Sequence, residues 1–101
     1  MDRISSAIEL DPVLHQPVRT RIAAYLAARG ETSFTELKRA LDITDGNLEA
    51  HMRKFVAAKY VKVRRDSGEG RPQSTYTLTA AGHNVFHGYV DCLQRLLFLE
   101  S

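Results

Sequence analysis

Cysteine is nearly absent from this chain: Cys92 stands alone, so no internal disulfide and no zinc-ribbon spacing can form. Stability must come from packing. Long apolar runs are missing too. None approaches the roughly 18 residues of a membrane span, and the polar start Met1-Asp2-Arg3 lacks a signal-peptide core. A cytosolic protein without membrane association is therefore expected. The chain also lacks a Gly-rich phosphate loop, paired carboxylates in a plausible cleft, and a cysteine or serine nucleophile with a placed histidine. Neither an enzyme nor a bound cofactor is expected. Net charge is only +2, which by itself says little about a polyanionic partner.

What is present is an ordinary globular composition, 44% hydrophobic and 26% charged over 101 residues, which predicts one folded domain spanning 1–101. Its positive charge is gathered. Arg53, Lys54, Lys59, Lys62, Arg64, Arg65 and Arg71 face only Asp66 and Glu69 within one stretch, leaving the rest of the chain net acidic. Such polarity favours docking of a polyanion on one side; the plainer alternative is a solvated basic face.

A helical stripe of Ile4, Ala7 and Ile8 predicts a short first helix within 1–10. Asp11-Pro12 marks a turn, and Gln16-Pro17 opens an alanine-rich helix with Val18, Ile22, Tyr25 and Leu26 that ends at Gly30. Ser33-Phe34-Thr35-Glu36 fits a capping box, followed by apolar Leu37, Ala40 and Leu41. After Asp42-Ile43-Thr44 comes a helix of about 45–58, capped by Thr44 or Asp45, with Leu48, Met52 and Phe55 as its buried stripe. Alternation then places Val61 and Val63 on one side of a strand and Tyr60, Lys62 and Arg64 on the other. A second strand, 74–78, alternates Tyr76 and Leu78 with Thr75 and Thr77, and the glycines and proline between make a hairpin tip. Thr79 caps a last helix running to about Leu99.

Two helices joined by three residues at 34–58 have the spacing of a helix-turn-helix, whose second helix enters the DNA major groove. On the helical wheel Gly46, Asn47, Ala50, Arg53 and Lys54 lie away from the core stripe. Asn47 can pair with adenine and Arg53 with guanine or a phosphate, while Gly46 and Ala50 permit close approach. The chain here resembles the winged helix-turn-helix transcriptional regulators of the MarR and ArsR kind. The resemblance is carried by Leu14-His15-Gln16-Pro17-Val18-Arg19, Phe34-Thr35-Glu36-Leu37, Thr44-Asp45-Gly46-Asn47-Leu48, His51-Met52-Arg53-Lys54-Phe55, Tyr60-Val61 and Thr75-Tyr76-Thr77-Leu78-Thr79-Ala80-Ala81-Gly82. It departs at Met52 and Phe55, where leucine is usual, and in a wing tip, Gly70-Arg71-Pro72-Gln73, with fewer basic residues.

The resemblance implies a mainly α fold with a small β-hairpin wing at 60–78, and a dimer that binds double-stranded DNA. The residues expected at DNA are Thr35, Lys38, Thr44, Asp45, Gly46, Asn47, Ala50, His51, Arg53, Lys54, Arg64, Arg71 and Ser74. A solvated hairpin edge is the alternative for the wing cations, and a protein-interaction module without DNA binding the alternative for the whole. The last helix, 80–99, has more apolar surface than one small core needs. Phe86, Val90, Leu93 and Leu97, with Ile4 and Ile8, are therefore expected at a two-fold interface. His83, His87 and Asp91 recur on the polar side of that helix, but their spacing does not reproduce the metal site of ArsR-like sensors, so no metal is assigned. Cys92 reads as a buried, inert thiol, with a redox switch across the dimer as the alternative. Whether an effector binds, and which operator is read, are left open.

Overall fold

A computed structural model of the chain describes residues 10–66, 70 and 72–100. The expected positions Ile4, Ile8 and Arg71 lie outside the described residues. Local capping explains most helix boundaries. Asp11 Oδ1 accepts the amides of Val13 (2.8 Å) and Leu14 (3.1 Å), a tight turn that drops Leu14 into the core. Helix α1 (Pro17–Arg29) then starts with the Gln16 side chain accepting from the Arg19 amide, and buries Ile22, Ala23 and Leu26.

Thr32–Ser33 forms a short strand, β1, that sequence periodicity does not foresee because two residues have no period to show. Helix α2 (Phe34–Leu41) begins with Ser33 Oγ accepting the Glu36 amide at 3.1 Å. Glu36 Oε2 turns elsewhere, accepting Tyr25 OH (2.7 Å) and Arg29 Nη2 (3.1 Å), so this oxygen ties α2 to α1 where a capping box was expected. Asp42 leaves the helix in the left-handed region, φ 55°. Helix α3 (Asp45–Ala57) follows after three residues, with Thr44 Oγ1 accepting the Asn47 amide. Leu48, Met52 and Phe55 are all at most 2% exposed, as the stripe predicts.

Strands β2 (Val61–Asp66) and β3 (Gln73–Leu78) form the hairpin, and β1 adds to the far edge of β3 in the all-antiparallel order β1-β3-β2. The register pairs Val61 with Leu78, Val63 with Tyr76 and Thr32 with Tyr76, so these side chains share the sheet face that closes the core. Helix α4 (Ala80–Glu100) starts with Thr79 Oγ1 accepting the Gly82 amide at 2.9 Å. Its Tyr89 is buried and hydrogen-bonds His15 and Thr20 beside α1. Of the positions expected at a two-fold interface, Phe86 and Leu93 are half-buried against the chain's own core, Val90 is half-buried, and Leu97 is 70% exposed. Phe98, absent from that expectation, is 80% exposed.

The turn between α3 and β2 organises the docking of α4. Lys59 adopts φ 66°, and the amides of Lys59 and Tyr60 return to the carbonyls of Val56 and Phe55, a helix-terminating motif usually built on glycine. The Tyr60 carbonyl then accepts the Thr79 amide at 2.9 Å, and α4 passes so close that a β-carbon on Gly82 would lie 2.0 Å from that oxygen. Backbone cannot yield as a flexible side chain can. Gly82→Ala should therefore lower unfolding free energy by about 3 kcal/mol or more, at the upper end of overpacking costs, as read from urea denaturation; an unchanged midpoint would show that α4 docks elsewhere.

Candidate nucleic-acid interface

The buried stripe of α3 fixes which of its residues face outward. Gly46, Asn47, Ala50, Arg53 and Lys54 are all exposed, as the wheel predicts, with Thr35 and Lys38 of α2 exposed beside them. A β-carbon on Gly46 would meet nothing within 4 Å, and its φ is not positive. Neither packing nor backbone geometry calls for glycine at this helical position, where it costs roughly 0.5–1 kcal/mol relative to alanine. Its consequence is a low surface at the start of α3.

Several expected DNA residues have partners within the fold. Lys38 Nζ lies 2.8 Å from Asp45 Oδ1, Arg53 Nη1 3.9 Å from Glu49 Oε1, and the Thr44 hydroxyl is the α3 cap. These side chains are well exposed, so the ion pairs contribute at most about 1 kcal/mol and yield readily to a stronger partner. His51 is half-buried on the flank of α3 that faces α1, with Nδ1 3.2 Å from Arg19 Nη1. Arginine can only donate, so Nδ1 accepts and the neutral ring carries its proton on Nε2. Burial first, then the positive charges of Arg19 and Lys54, hold the His51 pKa below its ordinary 6.5. Arg19 Nε in turn donates to the Val13 carbonyl.

On the other flank a groove of about 630 Å³ separates α3 from the wing. Met52, Val56 and Ala57 line it from the helix; Val63 and Tyr76 line it from the sheet; Glu49, Arg53 and Arg65 supply its charges. Val56 and Val63 are 38% and 41% exposed, so Val63, though on the core-facing side of β2 as alternation predicts, lies over this groove. The furrow continues past Glu49, Arg65 and Tyr76 into a smaller recess where Thr35 and Ser74 come together.

Arg64 lies on the opposite face of the sheet. Its Nε and Nη2 each donate to a separate oxygen of Glu31 at 3.1 Å, and Thr75 Oγ1 donates to the same carboxylate at 3.3 Å. The Arg64 hydrogen bond is the largest cause holding the Glu31 carboxyl below its ordinary range. Arg65, which the expected set omits, lines the groove instead. The signal was present: the alternation that turns Val61 and Val63 toward the core turns Arg65 the same way.

Among the described residues no three His, Cys, Asp or Glu side chains are gathered to hold a metal ion, and no helix is long and apolar enough to cross a membrane. His87 and Asp91 are exposed, and His83 and Cys92 half-buried.

The model of the winged helix DNA-binding domain family matches residues 18–97. An uncharacterised protein of Methanocaldococcus jannaschii is 31% identical over 78 residues, covering 77% of this chain and 85% of its own length. The solved structure of a transcriptional regulator homologue from Pyrococcus horikoshii superposes with a TM-score of 0.86 at 25% identity, over 96% of this chain and 95% of that one. A regulator of the MarR family from Enterococcus faecalis shares the fold, with a TM-score of 0.71 at 24% identity over 98% of this chain and 84% of its own. With four helices, a three-stranded sheet and the helix-turn-helix in place among the described residues, the chain belongs to the winged helix DNA-binding domain family.

Proposed function

We propose that the protein is a transcriptional regulator that binds double-stranded DNA sequence-specifically as a homodimer, α3 lying in the major groove and the wing against the backbone or minor groove. The observation that carries this reading is the outer face of α3. Its centre is kept low by Gly46 and Ala50, Asn47 and Arg53 offer the two side chains best suited to adenine and guanine, and Lys54 adds a phosphate contact. Relatives described as transcriptional regulators support the same reading. Selection of bound sequences from random duplexes is the primary test, and recovery of no preferred sequence would favour a protein-interaction module.

Asn47→Ala and Arg53→Ala should each weaken binding to the selected operator by about 1–3 kcal/mol more than binding to random DNA. Gly46→Ala should raise stability by up to about 1 kcal/mol yet lower operator affinity, separating the needs of the fold from those of the ligand. Equal losses on operator and random duplex would assign these positions to the backbone.

The dimer is supported by the far end of α4, where Leu97 and Phe98 are 70% and 80% exposed on a 21-residue helix, in a molecule 56 Å long but only 25 and 21 Å across. Two large apolar side chains on a projecting helix suit a second copy of the same helix. Paired subunits would read an inverted repeat with half-sites about one helical turn apart. Leu97→Glu should shift the protein from dimer to monomer in sedimentation, keep its circular dichroism, and lose operator affinity through lost bivalency. A folded variant that stays dimeric would place the interface elsewhere.

His51 supplies a pH dependence. Its folded pKa lies below 6.5, so as pH falls through about 6.5 the unfolded chain takes up a proton that the folded chain refuses. Stability contributed by the neutral ring is complete above that value and declines below it until the folded group titrates. Denaturant unfolding measured in steps from pH 7.5 to 5 should show this loss, and His51→Gln should remove that component. Phosphate near the ring would reverse the effect in the complex, raising DNA affinity as pH falls through the same window.

A further inference from the structure

We infer that the groove between α3 and the wing seats one sugar–phosphate strand of the duplex, with Arg65 as the wing's phosphate-binding cation and Arg64 as a positioning residue clamped on Glu31. The inference rests on the DNA-binding reading above and assigns within it a surface and a division of labour between adjacent arginines.

The chemistry of the furrow is mixed in the way a nucleic-acid backbone is mixed. Val56 and Val63, each more than a third exposed, give it apolar walls that match the faces of deoxyribose rings. Arg53 and Arg65 bring positive charge to it from its two sides, one from the helix and one from the sheet. A strand that leaves the major groove beside α3 and passes toward the wing runs along this line, its sugars on the valines and a phosphate at Arg65. Glu49 lies in the same furrow, 3.9 Å from Arg53. Its carboxylate opposes a phosphate there and restrains binding of any duplex.

Arg64 differs from its neighbour by one residue and hence by one face of the sheet. The two-point contact with Glu31, just ahead of β1, fastens the hairpin to the body of the domain from behind. In this position it sets where the wing stands, while Arg65 meets the ligand.

Binding of a fixed duplex to the full chain, measured across a series of salt concentrations, tests the assignment. Arg65→Gln should weaken binding to all sequences and lower the log–log salt slope by about one, and Arg65→Lys should restore the slope. Glu49→Gln should tighten binding to random duplexes. Arg64→Gln should leave the slope unchanged, with any change in affinity accompanied by lower thermal stability. The reverse pattern, a slope reduced by Arg64→Gln and unaltered by Arg65→Gln, would overturn the inference while leaving DNA binding intact. Absence of duplex binding by the unaltered protein at low salt would overturn the functional reading itself, and the inference with it.

Discussion

The backbone carbonyl of Tyr60 is the point on which the geometry of this domain depends. It receives the amide that starts α4 and leaves no room for a side chain at residue 82, while the amide of the same residue closes the turn that ends α3. The Thr79 hydroxyl adds a second bond to the neighbouring Lys59 carbonyl at 2.8 Å, and the Tyr60 phenol donates to Asp11 at 2.7 Å, which pushes its own pKa up. Helix α3, the wing, the last helix and the turn before α1 thus all meet at Lys59 and Tyr60. The angle between α3 and α4 is set there by backbone contact, the least compliant contact a protein has. In a dimer built through α4, the spacing of two recognition helices would be set through this same contact.

Beneath that constraint, much of the fold was legible because its signals are local. Gln16, Ser33, Thr44 and Thr79 each cap the helix that follows, and each needs only its next three residues to do so. The Leu48, Met52 and Phe55 stripe and the alternation of Tyr76 with Leu78 are equally short in range. What was not legible depends on distant partners. Lys59 at φ 66° carries no glycine to announce the turn, and the partners of the Glu36 oxygen lie one helix away. The wing arginines show a different failure. Arg64 is expected at DNA as a cation on the hairpin, but the back of the sheet carries Glu31, and the side turned toward α3 is an open furrow.

The candidate interface is also nearly self-neutral in its details. Lys38 with Asp45, and Arg53 with Glu49, pair cations that would meet DNA with acids from the same surface. Exposed pairs of this kind cost little to break, so they do not prevent binding. On the proposed reading they would remove much of the unspecific pull that a purely basic helix exerts on phosphate, and leave discrimination to contacts that form only on the right bases. The modest net charge of +2 fits such a surface.

The two-residue length of β1 has a mechanical consequence. It pairs with β3 at Tyr76 and Thr75 only, whereas the hairpin ladder continues outward through Arg65 with Ser74 and Asp66 with Gln73. Only beside these two residues does the sheet have three strands; outward of them it is a two-stranded ribbon, held by its own ladder. The Glu31–Arg64 contact sits at this boundary. The wing is in effect a cantilever with its clamp at Arg64, and amide hydrogen exchange along β3 should rise in a step, from the slow rate of Tyr76 to a faster one beyond Ser74.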